Sequence, residues 1–322
     1  NMLIDVIYPG ILGDKAPTAN YGAFKAHGWE GMINWSDKIG KVNYHIGGTF
    51  TYTTNELVDN GGSGAIKAGV RSDREGYPLN SVFGLRYCGK IQTEEQLKKY
   101  VDKYKNTSTI GTLNNLRLGD NMFEDVNKDG KLTEEDLVYL GTDDPKVQFS
   151  INAGLEWNGF DLAIVFQGAG KRTIWREEST WRIPMRAVYL NTSDQHIGNT
   201  WSPDNPGAFF PALTNQSELN NYNYQCSSWS VEDGAYLRLK NVTLGYSLPA
   251  SLLAKTKILS KARVYVTGSD LWEHSKINDG WDPEANRKVD NSKRYPFLRT
   301  VTFGLNLTLS LIHISEPTRL AL

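Results

Sequence analysis

The feature that most constrains this chain is a set of long segments in which apolar and polar residues alternate. Between Val147 and Trp157 every odd position is apolar or aromatic, while the even positions carry Gln, Ser, Asn, Gly and Glu. Strict alternation places the two classes of residue on opposite faces of a β-strand. The segment also has the ~9–11 residues that a tilted strand needs to cross a bilayer, more than the ~5–6 of an ordinary strand.

Alternation of this kind recurs in order along the chain and predicts seven long strands. The predicted strands cover residues 28–36, 41–54, 146–157, 160–168, 236–248, 262–272 and 298–309. The alternation changes phase at Asn241, which predicts a β-bulge in the fifth strand. Asn158-Gly159 is typical of a two-residue type I′ hairpin turn, and residues 37–40 are predicted to form another short turn.

The connections between these strands are of two kinds. Short turns alternate with long segments at 55–145, 169–235 and 273–297, which are rich in aromatic residues, Asn, Gly and Pro. Short turns on one side and long loops on the other are typical of outer-membrane β-barrels, whose short turns are periplasmic. We therefore predict an all-β chain, a partial transmembrane antiparallel up-and-down β-barrel with long extracellular loops. Seven strands are too few to close a wide pore.

The first long loop, residues 55–145, is predicted to hold a helix at Thr93–Lys105 and short strands at 82–90 and 116–124. Alternation alone leaves a second interpretation open, because the strands of a soluble β-sandwich alternate as well. Under that alternative the chain is a secreted, calcium-stabilised β-sandwich that binds carbohydrate.

Composition narrows the class of protein further. The 30 Gly, 16 Tyr and 9 Trp residues favour strands and turns, and no apolar run reaches the ~20 residues of a membrane-spanning helix. A net charge of −1 offers no basic patch, so we expect no nucleic-acid partner.

The cysteines are Cys88 and Cys226, which excludes a disulfide scaffold and leaves open whether the two pair. Residues 1–9 lack the pattern of a signal peptide, so an exported protein of this kind is expected to begin further upstream.

The sharpest local motif is DVNKDGKLTEED at residues 125–136. Its spacing matches the loop of an EF-hand, in which oxygen ligands surround Ca²⁺ and a glycine permits the sharp turn. The candidate ligands are Asp125, Asn127, Asp129, Lys131 through its carbonyl, Thr133 and Asp136. The final ligand is Asp where the EF-hand has Glu, and regular flanking helices are not evident. We expect a structural Ca²⁺ site, and the alternative is an Asn/Asp/Gly turn without a metal.

Five loop tryptophans are candidates for contact with a substrate, namely Trp175, Trp181, Trp201, Trp229 and Trp281. Exposed indole rings suit the CH surfaces of sugars, although the same residues can form girdles at a barrel rim or pack the loops.

Catalytic patterns are missing from the sequence. The five histidines lack metal-ligand spacing, and no nucleophile elbow or nucleotide-binding loop occurs. The adjacent pairs Glu134-Glu135 and Glu177-Glu178 place neighbouring carboxylates on opposite faces of a strand, whereas a glycosidase needs both in one cleft. We therefore expect that the chain is not an enzyme.

Several ordered motifs resemble the C-terminal region of SusC/RagA TonB-linked outer-membrane proteins. They are GWE (28–30), REGYP (74–78), residues 125–136 with YLG (139–141), GFDL (159–162) with FQG (166–168), EDGAYLRLKN (232–241) with LGY (244–246), VYV (264–266), and YP (295–296) with FGLNL (303–307). The resemblance covers residues 20–309. It assigns residues 1–309 to the C-terminal part of a TonB-dependent receptor barrel in the outer membrane of a Gram-negative bacterium.

This resemblance implies function and partners. Such receptors form barrels of about 22 strands around an N-terminal plug. They work with a SusD-like surface lipoprotein and take energy from TonB to import an oligosaccharide or a peptide across the outer-membrane lipid. The plug and the TonB box are expected outside this sequence. Residues 310–322 depart from the family pattern and resemble a translated sequencing adapter, so we expect this tail to be non-native.

Overall fold

The long strands form where the alternating segments lie. The computed structural model describes residues 2–5, 18–59, 69–70, 74–111, 113–175, 194–256, 258–277, 282–284 and 297–309. The described strands are β1 (Met2–Asp5), β2 (Thr18–Ile39), β3 (Val42–Asp59), β4 (Gly69–Val70), β5 (Ser81–Gly84), β6 (Tyr87–Lys90), β7 (Asn121–Phe123), β8 (Val138–Thr142), β9 (Val147–Trp157), β10 (Phe160–Ala169), β11 (Thr173–Trp175), β12 (Val231–Asp233), β13 (Tyr236–Ser247), β14 (Leu259–Ser275) and β15 (Thr300–Leu309). The helices are α1 (Glu94–Tyr104), α2 (Ser217–Asn223) and α3 (Ala250–Leu253), with 3₁₀ turns at Leu113–Asn115, Glu134–Asp136, Asp194–His196 and Ala254–Thr256.

Eight strands form one antiparallel sheet, which we call the wall, in the order β1-β2-β3-β9-β10-β13-β14-β15. The seven predicted long strands are present in the predicted order. β1 is an additional strand, because four residues are too few for alternation to reveal. The first predicted strand was too short, since β2 runs over 22 residues from Thr18 to Ile39. Within the described residues the wall is open, with β1 and β15 at its edges.

The turns and the bulge follow the sequence with small shifts. Asn158 and Gly159 both have positive φ, 47° and 89°, as a type I′ turn requires. The other short turn is Gly40-Lys41 rather than residues 37–40, because β2 continues to Ile39. The bulge lies one residue before the predicted position. Leu239 pairs with Phe166 and Asn241 with Val165, so the extra residue is Lys240.

One face of the wall is a continuous apolar surface. A single row of cross-strand partners runs through Tyr44, Leu155, Leu162, Leu244, Val266 and Phe303. Leu155, Leu244 and Phe303 are 39%, 48% and 82% exposed, so no second sheet of the described residues covers them. A β-sandwich would bury this row, whereas a wall that faces lipid leaves it open.

The opposite face of the wall is polar and is held together by side chains. The hydroxyl oxygens of Thr49 and Ser150 lie 2.6 Å apart, joining β3 to β9. On the same face, Arg263 Nε of β14 donates to Asp161 Oδ1 of β10 at 2.8 Å, and this pair crosses β13 at Gly245. A Cβ at Gly245 would collide with the Arg263 guanidinium and the Asp161 carboxylate, so a larger residue there would force the ion pair to shift.

The largest cluster of buried side chains lies outside the wall, in the two long connections. We call the described residues of 69–146 and 170–235 the loop domain. Its core consists of Phe83, Leu85, Ile91, Tyr100, Tyr104, Leu113, Leu116, Phe123, Leu132, Leu137, Leu219 and Tyr222. Leu219 and Tyr222 come from the second connection and the others from the first, so the two loops share one core.

Secondary structure in the first connection agrees with the sequence in part. The predicted helix is α1, and the Thr93 hydroxyl caps it by accepting from Gln96 N at 3.2 Å. The predicted strand at 82–90 is divided into β5 and β6. The predicted strand at 116–124 is reduced to β7, because the chain before it turns to bury Leu113 and Leu116 in the core.

Among the described residues, no helix has the length and apolarity needed to cross a membrane.

Candidate functional site

The polar face of the wall meets the loop domain at a cavity of about 320 Å³. It is lined by Thr53, Thr54, Asn55, Pro78, Thr142, Asp144, Pro145, Lys146 and Gln148. Asn55 Oδ1 accepts from Leu79 N at 2.8 Å, and Asp144 Oδ2 accepts from Asn80 Nδ2 at 2.6 Å. Hydroxyl and amide groups dominate this lining, with one carboxylate and one ammonium group. Such a surface is suited to neutral, hydrogen-bonding molecules.

A second cavity, of about 530 Å³, lies at the short-turn end of the polar face. Its lining comes from five neighbouring strands and the turn at Asn158, and includes Lys41, Asn43, Glu156 and Arg263. The two cavities therefore mark opposite ends of the polar face, one below the loop domain and one beside the short turns.

A dense group of charges stands near the loop end of β13 and β14, which we call the Arg238 cluster. It comprises Arg238, Lys240, Asp270, Glu273, Asp282 and Glu284. The side chain of Arg238 is 2% exposed, and it bonds Glu273 and lies 2.9 Å from Asp282. Lys240, displaced by the bulge, lies 2.8 Å from Glu284. The cluster therefore attaches the connection between β14 and β15 to the wall.

Buried polar groups join the two halves of the loop domain. Asn121 N donates to Asn223 Oδ1 at 2.8 Å, and Asn223 Nδ2 donates to Asp120 Oδ1 at 2.8 Å. Asp120 Oδ2 accepts from Arg117 N at 2.7 Å. Burial raises the pKa of the Asp120 carboxyl above its ordinary value, although its bonds with Asn223 and Arg117 act in the opposite direction.

The raised pKa of Asp120 gives a testable dependence of stability on pH. The folded state binds this proton more readily than the unfolded chain, so the ionised carboxylate destabilises the fold at neutral pH. We expect the unfolding free energy of the natural protein, relative to that of Asp120→Asn, to rise as the pH falls from neutrality towards the ordinary aspartate pKa of about 4. Urea unfolding at several pH values measures this difference, because the other carboxylates are common to both proteins. If this difference in unfolding free energy fell on acidification instead, the contacts with Arg117 would lower the pKa of Asp120 more than burial raises it.

The EF-hand-like loop, residues 125–136, is curled by its own side chains. Gly130 N donates to Asp125 Oδ2 at 3.0 Å across the loop, and Gly130 has the positive φ (82°) of a sharp turn. Asn127 Oδ1 accepts from Asp129 N at 3.0 Å, and Asp129 Oδ1 accepts from Lys131 N at 2.8 Å. The loop is therefore compact.

The last part of this loop closes against its beginning. Asp136 is fully buried, and its Oδ1 accepts from Val126 N at 2.8 Å while Oδ2 accepts from Thr133 N at 2.9 Å. The Thr133 hydroxyl caps the 3₁₀ turn that carries Asp136. Among the described residues, no three His, Cys, Asp or Glu side chains come together as a metal cluster. A cation in this loop would therefore need amide and carbonyl oxygens besides carboxylates.

The candidate tryptophans differ in their surroundings. Trp229 is 8% exposed, packs in a cluster with Phe210 and Tyr224, and donates from Nε1 to Phe209 O at 3.2 Å. Trp201 is partly exposed and donates to Gln92 Oε1 at 2.8 Å, with its ring over Gly119. Trp175 is partly buried in β11. Trp181 and Trp281 lie outside the described residues, as do Glu177-Glu178 and the tail 310–322.

The two cysteines do not form a disulfide with each other. Cys88 is exposed on β6, and Cys226 is buried. Burial and the nearby Glu124 raise the pKa of the Cys88 thiol, which lowers its reactivity at neutral pH.

Comparison with known proteins shows which receptors the chain resembles. No protein-family model matches the chain. The chain is 26% identical over 330 residues to TonB-dependent receptor P3 of Formosa agariphila, an alignment that covers 94% of this chain and 31% of that protein. It is 22% identical over 307 residues to the TonB-dependent receptor SusC of Bacteroides thetaiotaomicron, covering 91% of this chain and 27% of SusC.

The fold is similar to that of solved structures. The structure of the RagAB peptide transporter matches with a TM-score of 0.72 and 23% identity, over 95% of this chain and 31% of that chain. The RagAB peptide importer in its closed-closed state matches with a TM-score of 0.71 and 24% identity, over 95% and 32%. The chain spans about a third of the length of the curated relatives it matches.

The wall and these relatives make the chain similar to a segment of a TonB-dependent receptor. More closely, the chain is SusC/RagA-like, as its motifs predicted. Receptors of this type are outer-membrane proteins of Gram-negative bacteria, so the predicted location in the outer membrane is confirmed. The relatives are receptors and transporters rather than enzymes, in keeping with the missing catalytic motifs.

Proposed function

We propose that this chain forms part of the barrel wall and of the extracellular surface of a TonB-dependent importer. The importer takes up an oligosaccharide or a peptide together with a SusD-like surface lipoprotein. The observation that carries the proposal is the apolar face of the wall, with Leu244 and Phe303 open to the surroundings along a continuous row. Lipid is the environment in which such a face is stable.

The two faces of the wall suggest which surface contacts lipid and which contacts the substrate. The apolar face contacts lipid, and the polar face lines the path of the substrate past the cavity at Asn55 and Gln148. The loop domain lies outside the cell, where the substrate and the lipoprotein arrive. The alternative of a secreted, calcium-stabilised β-sandwich is not favoured, because its apolar residues would be buried between two sheets.

Cysteine labelling on intact cells tests the orientation. In a Cys88→Ser background, Glu95→Cys places a thiol on exposed α1, and Lys41→Cys places one in an exposed short turn. A membrane-impermeant maleimide should label the first on whole cells and the second only after permeabilisation. Equal labelling of both on whole cells would contradict the orientation. Recovery of the protein in the soluble fraction would contradict the membrane assignment altogether.

A transport assay tests the activity. Uptake of a labelled oligosaccharide or peptide by cells that carry the receptor should require TonB, and an epitope tag on the receptor should recover a surface lipoprotein. Uptake that persists without TonB, or purification without any lipoprotein, would contradict the proposed mechanism even where the labelling pattern is as expected.

A further inference from the structure

We propose that the EF-hand-like loop, residues 125–136, is a Ca²⁺-binding site that fixes the segment after α1 within the loop domain. The inference goes beyond import and does not depend on it. The motif places candidate oxygen donors of three kinds around one loop: the carboxylates of Asp125 and Asp129, the amide oxygen of Asn127, and the carbonyl of Lys131. The Asp136 carboxylate closes the loop by accepting from backbone N–H groups. Hard oxygen ligands in a flexible loop are the environment that Ca²⁺ prefers over transition metals.

An unpaired carboxylate oxygen gives independent evidence for a cation. The side chain of Asp125 is only 5% exposed, and its Oδ1 atom is buried without a hydrogen-bond partner. The other oxygen, Oδ2, accepts from Gly130 N across the loop, so the carboxylate is turned towards the loop's interior. A buried carboxylate oxygen that lacks a donor is costly, and a bound cation would remove that cost.

Lys103 places an ammonium group beside the candidate site. Lys103 Nζ lies 3.6 Å from Asp125 Oδ2, and the same ammonium donates to the Tyr104 hydroxyl at 2.5 Å. The Lys103 side chain is half exposed, so its charge is screened and it leaves Oδ1 unpaired. This positive charge beside the site should weaken the binding of a divalent cation. Removal of Lys103 should therefore increase the affinity.

The loop is joined directly to the core of the loop domain. Leu132, between two candidate ligands, is fully buried in that core, and its carbonyl accepts from Thr109 N at 2.9 Å. The Gly130 carbonyl accepts from the Thr107 hydroxyl at 3.4 Å, just after α1. A cation that holds Asp125 and Lys131 together would therefore order the segment that follows α1.

Terbium luminescence is the direct test, because Tb³⁺ occupies Ca²⁺ sites and is excited by nearby tyrosine. The Tyr104 ring lies 4.5 Å from Lys103 Nζ, so a donor ring stands beside the site. Purified receptor in detergent should sensitise Tb³⁺ emission when Tyr is excited. Ca²⁺ should displace the bound Tb³⁺ and abolish this emission. Its dissociation constant should be about 10⁻⁴–10⁻³ M, the range of extracellular sites.

Substitutions assign the signal to this loop. Asp125→Asn should weaken Ca²⁺ binding at least tenfold, and Asp129→Ala, at an exposed position that leaves the fold intact, should weaken it severalfold. Lys103→Met should strengthen binding severalfold. Asp102→Asn is the matched control, since Asp102 pairs with Lys105 outside the loop, and it should change nothing. Emission that Ca²⁺ does not displace, or that is unchanged in both Asp125→Asn and Asp129→Ala, would overturn the proposal.

Discussion

Replacement of Arg238 by methionine should lower the unfolding free energy of the receptor by about 3–5 kcal/mol, the cost of leaving buried charges without their partner. Arg238 is almost completely buried and approaches four carboxylates, with Glu284 Oε1 at 3.1 Å and Asp270 Oδ1 at 3.9 Å as the outer pair. After the substitution, Lys240 would be the remaining cation of the Arg238 cluster. Four carboxylates would then share one positive charge in a poorly solvated place.

Urea unfolding followed by tryptophan fluorescence measures this loss. The control is Lys25→Met, which removes an exposed ion pair with Glu56, and we expect at most about 1 kcal/mol there. The loss of unfolding free energy for Lys240→Met should lie between those for Arg238→Met and Lys25→Met, because the Lys240 side chain is about one quarter exposed. If Arg238→Met were no more destabilising than Lys25→Met, the cluster would be a solvated surface group and would not anchor the connection.

An arginine on the apolar face of the wall should be the second most disruptive change. Ile164 and Ala163 are neighbours in β10, so they lie at nearly the same depth but on opposite faces. Ile164 pairs with Val242 on the apolar face, whereas Ala163 pairs with Thr243 on the polar face. We expect Ile164→Arg to cost about 2–4 kcal/mol near the bilayer midplane. Ala163→Arg should cost about 0.5 kcal/mol or less, as for a solvated surface position.

Folding into vesicles reports the difference between the two variants. The fraction that reaches the heat-modifiable, protease-resistant form should fall for Ile164→Arg and stay near that of the natural protein for Ala163→Arg. Equal effects would mean that the two faces meet the same environment. The opposite order would place lipid on the face that carries Thr49 and Ser150.

The strands of the wall were predictable because a membrane imposes two environments over a fixed thickness. Val147–Trp157 alternates without interruption since each odd residue meets one environment and each even residue the other. β1 was missed because it has only four residues. The bulge was misplaced by one position because a phase change shows in the sequence only after the extra residue, Lys240, has passed.

The loop domain was much less predictable, because its contacts join distant parts of the chain. The bonds between Asn121 and Asn223 span 102 positions, and neither residue belongs to a periodic pattern. The helix α1 was predictable because it carries local signals, namely Thr93 at its N-cap and two glutamates in its first turn. The Arg238 cluster was not foreseen, since its charges come from β13, β14 and a later connection and resemble a solvated face in sequence.

The shared core of the two long connections limits how such a receptor can be re-engineered. Tyr222 from the second connection places its hydroxyl 3.0 Å from that of Tyr100 in the first, inside the same apolar cluster. A graft that carried residues 60–146 alone onto a foreign barrel would leave half of this interior without its counterpart. Both connections must therefore be exchanged as one unit, while the turns at Gly40 and Asn158 can stay with the host.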